Sequence, residues 1–147
     1  MRKPDRYRFD DVRKPDFEFC VSGRPVSAQA KNRLALQSWK RQVGAAAIAA
    51  WPGGRDMLRS DLRLHVTHYA ERRIADRDNL LKPIQDALQG IVYRDDGQIV
   101  DTACNWRNIN GSFTVRHVFL SVAVSFSIGV EFLHVRVWTG TGEGDLG

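Results

Sequence analysis

Asp76-Arg77-Asp78-Asn79-Leu80-Leu81-Lys82, followed at Asp95-Asp96 by a second acidic pair, gathers several carboxylates and one lysine within about twenty residues. The chain around it has 147 residues and a net charge of +5. Close carboxylates repel one another unless a cation joins them, and hard oxygen donors of this kind suit Mg²⁺ or Mn²⁺. A basic protein that concentrates acid in one place is a candidate for holding a metal against a polyanion, which points to phosphodiester chemistry on nucleic acid. The same stretch carries a helix signal. Leu80, Leu81, Ile84, Ala87 and Leu88 recur at helical spacing, and Gly90 stands where a C-terminal cap belongs. Pro83 is tolerable only in a first turn, so the helix is expected to begin at Asn79 or later.

Upstream, Leu62, Leu64, Val66 and His68 alternate with Arg63, His65 and Thr67, the period of a strand ending near Tyr69. Downstream, Ile91-Val92-Tyr93 leads into the turn-like Arg94-Asp95-Asp96-Gly97, and Ile99 to Trp106 reads as another strand. Phe17, Phe19 and Val21 mark a first strand that Gly23-Arg24-Pro25 stops. Ser27 is the expected N-cap of a long helix reaching about Ala50, with Leu36, Trp39, Val43, Ala46, Ala47 and Ala50 as its apolar stripe. Arg33, Gln37, Lys40 and Arg41 fall on a different side of it, either toward DNA or simply toward water. Phe113 to Phe126 is apolar and reads as strand or buried helix, and Val130 to Trp138 as the last strand. These boundaries give a charged N-terminal arm over 1–15, one domain over 16–138 and a Gly-rich tail over 139–147.

Asp76 and Asp78, two apart on an extended segment, point to one side and can present two carboxylates to one ion. Asp96, or its neighbour Asp95, arrives from the far end of the intervening helix. Three carboxylates with phosphate oxygens and waters complete an octahedral Mg²⁺ site. Lys82, one turn beyond Asp78, can offset charge building on phosphate or assist the leaving group. Each residue also has a purely structural reading. Asp78 or Asn79 can cap the helix, Asp95-Asp96-Gly97 can be a hairpin turn, and Lys82 can be a solvated side chain. An EF-hand is a poor fit, because the loop lacks the required glycine and distal glutamate.

His65 and His68, three apart on a strand, face opposite sides and cannot easily share an ion. Cys20 and Cys104 lack metal or redox spacing and read as buried, reduced thiols. No apolar run reaches membrane-spanning length and the N-terminus lacks a signal-peptide core, so a cytoplasmic location with no membrane partner is expected.

The run Arg72-Arg73-Ile74-Ala75-Asp76-Arg77-Asp78-Asn79-Leu80-Leu81-Lys82, then Asp86-Ala87-Leu88, then Tyr93-Arg94-Asp95-Asp96-Gly97-Gln98-Ile99, closely resembles the RusA family of Holliday-junction resolvases. The resemblance implies an α/β (α+β) fold, a small mixed β-sheet packed with two main helices. It also implies a homodimer that cuts branched DNA, the four-way junction, by Mg²⁺-dependent paired nicks, with Mn²⁺ as an alternative ion. Asp76, Asp78 and Asp96 match the family's essential aspartates and Lys82 its essential lysine, with Asp95 as a further candidate ligand. Arg72, Arg73 and Arg77 match its basic positions, Asn79 fits the motif, and Lys31, Arg33 and Lys40 belong to the weaker upstream likeness; all are candidate DNA contacts. Phe113 to Gly129 and the longer arm are extra relative to compact members. Two other readings stand beside this one: a binder of branched DNA that does not cut, and a nuclease for flaps or forks.

Overall fold

The computed structural model describes residues 14–74, 78–110 and 119–140. Its elements in chain order are β1 (Phe17–Ser22), α1 (Arg33–Ala50), β2 (Leu62–Ala70), α2 (Asp78–Leu88), a 3₁₀ turn (Asp96–Gln98), β3 (Ile99–Asn108), α3 (Leu120–Ile128) and β4 (Phe132–Thr139). The strands form one mixed sheet in the order β1-β4-β2-β3, with β1 and β2 antiparallel to β4 and β3 parallel to β2. A parallel pair cannot be closed by a tight hairpin and needs a crossover element. The chain between β2 and β3 supplies it as α2 and the 3₁₀ turn, so the acidic segment is the crossover itself. Asp95-Asp96-Gly97 is therefore no hairpin.

Helices α1 and α2 cover one face of the sheet. Trp39, Val43 and Ala47 from α1 meet Leu81, Ile84 and Leu88 from α2 over Phe19, Leu64, Val66, Val135 and Val137. This is the expected sheet with two main helices. On the other face, α3 places Val122 against Tyr69 and Phe132, and rings of Phe126, Tyr69 and Phe132 stack edge-on or face-on at 4.7 to 5.4 Å. The segment read as strand or buried helix is thus helical from Leu120, although Leu120, Val124 and Ile128 remain exposed. The expected arm over 1–15 lies almost wholly outside the described residues, as do Ala75, Asp76, Arg77, 111–118 and the tail beyond Gly140.

Three local expectations change. Helix α1 begins at Arg33, not after Ser27, because the Asn32 side chain accepts from Ala35 N at 3.0 Å and is the cap. Ser27 instead closes a short turn, its Oγ accepting from Gln29 N and its carbonyl from Ala30 N. Helix α2 begins at Asp78, which places Pro83 beyond the first turn. Proline has no N–H, so the Asn79 carbonyl four residues back receives no helical bond. The Ala28 N–H fills that place at 2.9 Å, and the proline thereby becomes a docking site for the turn ahead of α1.

The alternation in β2 also misleads about exposure. All nine of its residues are buried, because β2 is an inner strand with cover on both faces. Its polar side chains pair with the neighbouring strands: His65 Nδ1 accepts from Arg136 of β4 at 2.9 Å, and His65 Nε2 faces the Asn105 amide of β3 at 2.8 Å. Burial and the neighbouring cations push His65 down to about 3, so its ring is neutral at ordinary pH. His65 and His68 do lie on opposite faces; His68 is held by Glu131 at 2.5 Å. Cys20 is a thiol whose burial pushes it up to about 12, consistent with an inert, reduced group, and neither it nor Cys104 is in a disulfide.

Candidate active site

Lys82 is the hub of the described site. Its ammonium lies 2.9 Å from Asp96 Oδ2 and 3.0 Å from Asp86 Oδ1. The hydrogen bonds to Asp96 and Asp86 hold it above the ordinary lysine range. Asp78 stands four residues before Lys82 and Asp86 four after, so all three share one face of α2. Asp78 is exposed at the helix head, where a carboxylate also suits the positive end of the dipole. The sequence places Lys82 one turn beyond Asp78 without naming a partner for it; the structure pairs it with Asp96 and with Asp86, four residues on.

Asp86 is held from two helices. While Oδ1 takes Lys82, Oδ2 lies 3.3 Å from Lys40 Nζ on α1. Partial burial pushes its carboxyl up, but the hydrogen bonds from Lys82 and Lys40 outweigh burial and hold it below the usual carboxylate range. Lys40, a candidate DNA contact in the sequence, is therefore engaged inside the protein.

Asp95 and Asp96 have different surroundings. Asp95 caps the 3₁₀ turn, its Oδ1 accepting from Gly97 N at 3.1 Å, and Gln98 returns the bond to the Asp95 N–H. The sequence reads this stretch as a turn or hairpin; the D-x-x-Q spacing is the signal that marks the capping box instead. Gln98 does more: its Oε1 accepts from Arg94 N and Asp95 N, and its Nε2 donates to Leu58 O and Ser60 O at 2.9 and 3.0 Å. Gln89 Oε1 accepts from Asp96 N at 3.1 Å. Gln98, present in the sequence argument only as a motif letter, and Gln89, absent from it, thus fix the backbone that delivers Asp96.

Arg72 and Arg73 follow β2 and are exposed, as are Lys31 and Arg33 at the start of α1. Two contacts reach out from the 23–32 connection, the Ala28–Asn79 bond to α2 and a long one, 3.4 Å, from Arg24 Nη1 to Arg72 O. Arg24 also pairs with Glu131 at 3.0 Å, and a cleft of about 400 Å³ there is lined by Arg24, Glu71, Arg72, Ile109, Gly129 and Glu131. Tyr93, an aromatic residue beside the acidic turn, is fully buried and donates its hydroxyl to Gln85 O, so it is core. Trp106 is half-buried on β3.

Asp76 and Arg77 lie outside the described residues. Among the described residues no three His, Cys, Asp or Glu side chains are gathered as a metal cage. The donors that are described, the Asp78 carboxylate and the Asp96 oxygen not held by Lys82, are hard, and a lysine ammonium already occupies a cation position beside Asp96. That donor set fits Mg²⁺ or Mn²⁺ and not a soft metal. Among the described residues no helix is long and apolar enough to cross a membrane.

No curated protein matches the chain. A family model described as "Endodeoxyribonuclease RusA" matches residues 21–116, well over half of it, from the end of β1 through α1, β2, α2 and β3. Asp78, Lys82, Asp86, Asp96 and Gln98 all lie within that match, on the crossover that the sheet topology requires, and the chain belongs to the RusA family of endodeoxyribonucleases.

Proposed function

We propose that the protein is a divalent-metal-dependent, structure-selective endodeoxyribonuclease that resolves four-way DNA junctions as a homodimer by paired, symmetric nicks. The observation that carries the reading is the Lys82 ammonium drawn against Asp96, one helical turn from Asp78, in a chain of this family. Acid next to a lysine at the head of a helix, in a chain of net charge +5, suits a phosphate backbone brought to a cation. A pure binder gains nothing from carboxylates facing phosphate.

Asp76, Asp78 and Asp96 would hold the ion, with Asp95 as a neighbour whose Oδ1 is committed to Gly97. When bound, a divalent ion polarises the scissile phosphate and eases deprotonation of water. The residues of the chain supply the rest. Hydrolysis joins the water oxygen to phosphorus, breaks the bond to one sugar oxygen, and leaves a proton on that oxygen. Lys82 offsets the charge that gathers on phosphate or on the departing oxygen. Arg72, Arg73, Arg77, Lys31 and Arg33 position the strand through its phosphates without reading bases. A junction has approximate two-fold symmetry, and a two-fold dimer presents two sites related by the same operation. The reading places the protein with DNA in the cytoplasm.

A panel of labelled four-way junctions, flaps, forks and linear duplexes, incubated with Mg²⁺ or with chelator, tests this. The junction should be cut at paired symmetric positions, the duplex left intact, and chelator should stop the reaction; light scattering of the same preparation should give about twice 16.7 kDa. Faster cutting of flaps or forks would favour a nuclease for other branched DNA, and binding without cutting would leave only a branched-DNA binder.

A further inference from the structure

Lys82 needs to be held. A lysine side chain is long and rotamer-rich, and Lys82 is more than half exposed. Asp96 alone is a poor anchor for it, because the same carboxylate is wanted by the metal under the function proposed above. Asp86 has neither problem. It lies on the same helix face one turn on, its Oδ1 is 3.0 Å from Lys82 Nζ, and its Oδ2 is fixed by Lys40 at 3.3 Å. Both carboxylate oxygens are thus used by two lysines from two helices that pack together.

We propose that Asp86 is a positioning residue for cleavage: with Lys40 steadying it from α1, it keeps the Lys82 ammonium at the scissile phosphate when Asp96 turns to the metal. The arrangement assigns Asp86 no contact with DNA or metal. It rests on the nuclease reading, and it gives the first helix, remote from the acidic motif, a hold on the reacting group. Removing the charge should leave DNA binding alone and slow the chemistry, since positioning is felt in the transition state.

Single-turnover cleavage of a four-way junction in Mg²⁺, junction affinity in Ca²⁺ and thermal midpoint, measured on wild type, Asp86→Asn, Asp86→Glu, Lys82→Met and the Asp86→Asn/Lys82→Met pair, test the proposal. Asp86→Asn should cut about 10- to 100-fold more slowly with affinity within about twofold of wild type, and Asp86→Glu, which keeps the charge, should recover much of the loss. The double variant should be no slower than Lys82→Met alone, because Asp86 acts through Lys82. A loss under about threefold in Asp86→Asn, a parallel loss of affinity, or a further slowing in the double variant would each overturn it. Wild type that binds the junction and never cuts it would instead overturn the nuclease reading, and is seen before any variant is compared.

Discussion

Gln98 shows how much of a site can rest on a residue that does no chemistry. Its four bonds tie the Arg94-Asp95 backbone to Leu58 and Ser60, so the turn presenting Asp96 is fastened to the chain that enters β2. We expect Gln98→Ala to cost about 1 kcal/mol in urea unfolding, since four backbone groups lose a partner at once but only the Leu58 carbonyl does so away from water. Gln98→Glu should do no better despite its size, because a carboxylate oxygen would face the Leu58 and Ser60 carbonyls. A Glu variant as stable as wild type would show that packing, and not hydrogen bonding, holds the turn. At this scale the sequence was partly legible. Lys82 and Asp96 were both singled out from the motif, but their contact was not foreseen, and the D-x-x-Q spacing that marks the Asp95 cap was read as a turn. The Lys40–Asp86 pair and the Gln89–Asp96 bond could not be foreseen, since they join residues that come together only when α1 docks on α2 or α2 turns into β3.

The elements themselves were mostly readable, because apolar period sets strand against helix before any tertiary contact forms. Misreadings came where tertiary partners replace local ones. Ser27 has the chemistry of a cap, yet the Ala28 N–H is spent on the carbonyl that Pro83 leaves free, and the helix waits for Asn32. In β2 an alternating pattern hides a strand buried on both faces, whose polar side is a paired network around His65. That network carries a pH prediction. His65 is held near 3 in the fold and has an ordinary value near 6.5 unfolded, so the unfolded chain binds the extra proton below pH 6.5. Its contribution is fully present above pH 6.5 and is lost as pH falls toward 3. Between pH 7 and pH 5 the loss should be about 2 kcal/mol. His68 and His134, also depressed by burial, act in the same direction. His65→Asn removes this titration, so its stability deficit against wild type should shrink by about that amount between pH 7 and pH 5. A deficit independent of pH would mean that the His65 ring is protonated within the fold.

For the whole molecule, the topology explains why acid and base can coexist. The parallel β2–β3 pair demands a crossover, the crossover is the acidic motif, and the antiparallel strands and α1 fasten it into one core. The 23–32 connection, which leads into Lys31 and Arg33, is tied to α2 at the Asn79 carbonyl that Pro83 leaves free. Order along the chain made the fold class accessible from sequence. Strand order and the closeness of α1 to the motif were not accessible, because neither leaves a local pattern. The central claim is that Asp78 is part of a metal-dependent cutting site, not a cap. The direct measurement is cleavage of a four-way junction labelled on two opposing strands, with Mg²⁺, by wild type and Asp78→Asn. We predict symmetric nicks by wild type and at least a hundredfold slower cutting by Asp78→Asn, with junction affinity and thermal midpoint close to wild type. Cutting by Asp78→Asn at the wild-type rate would contradict the account.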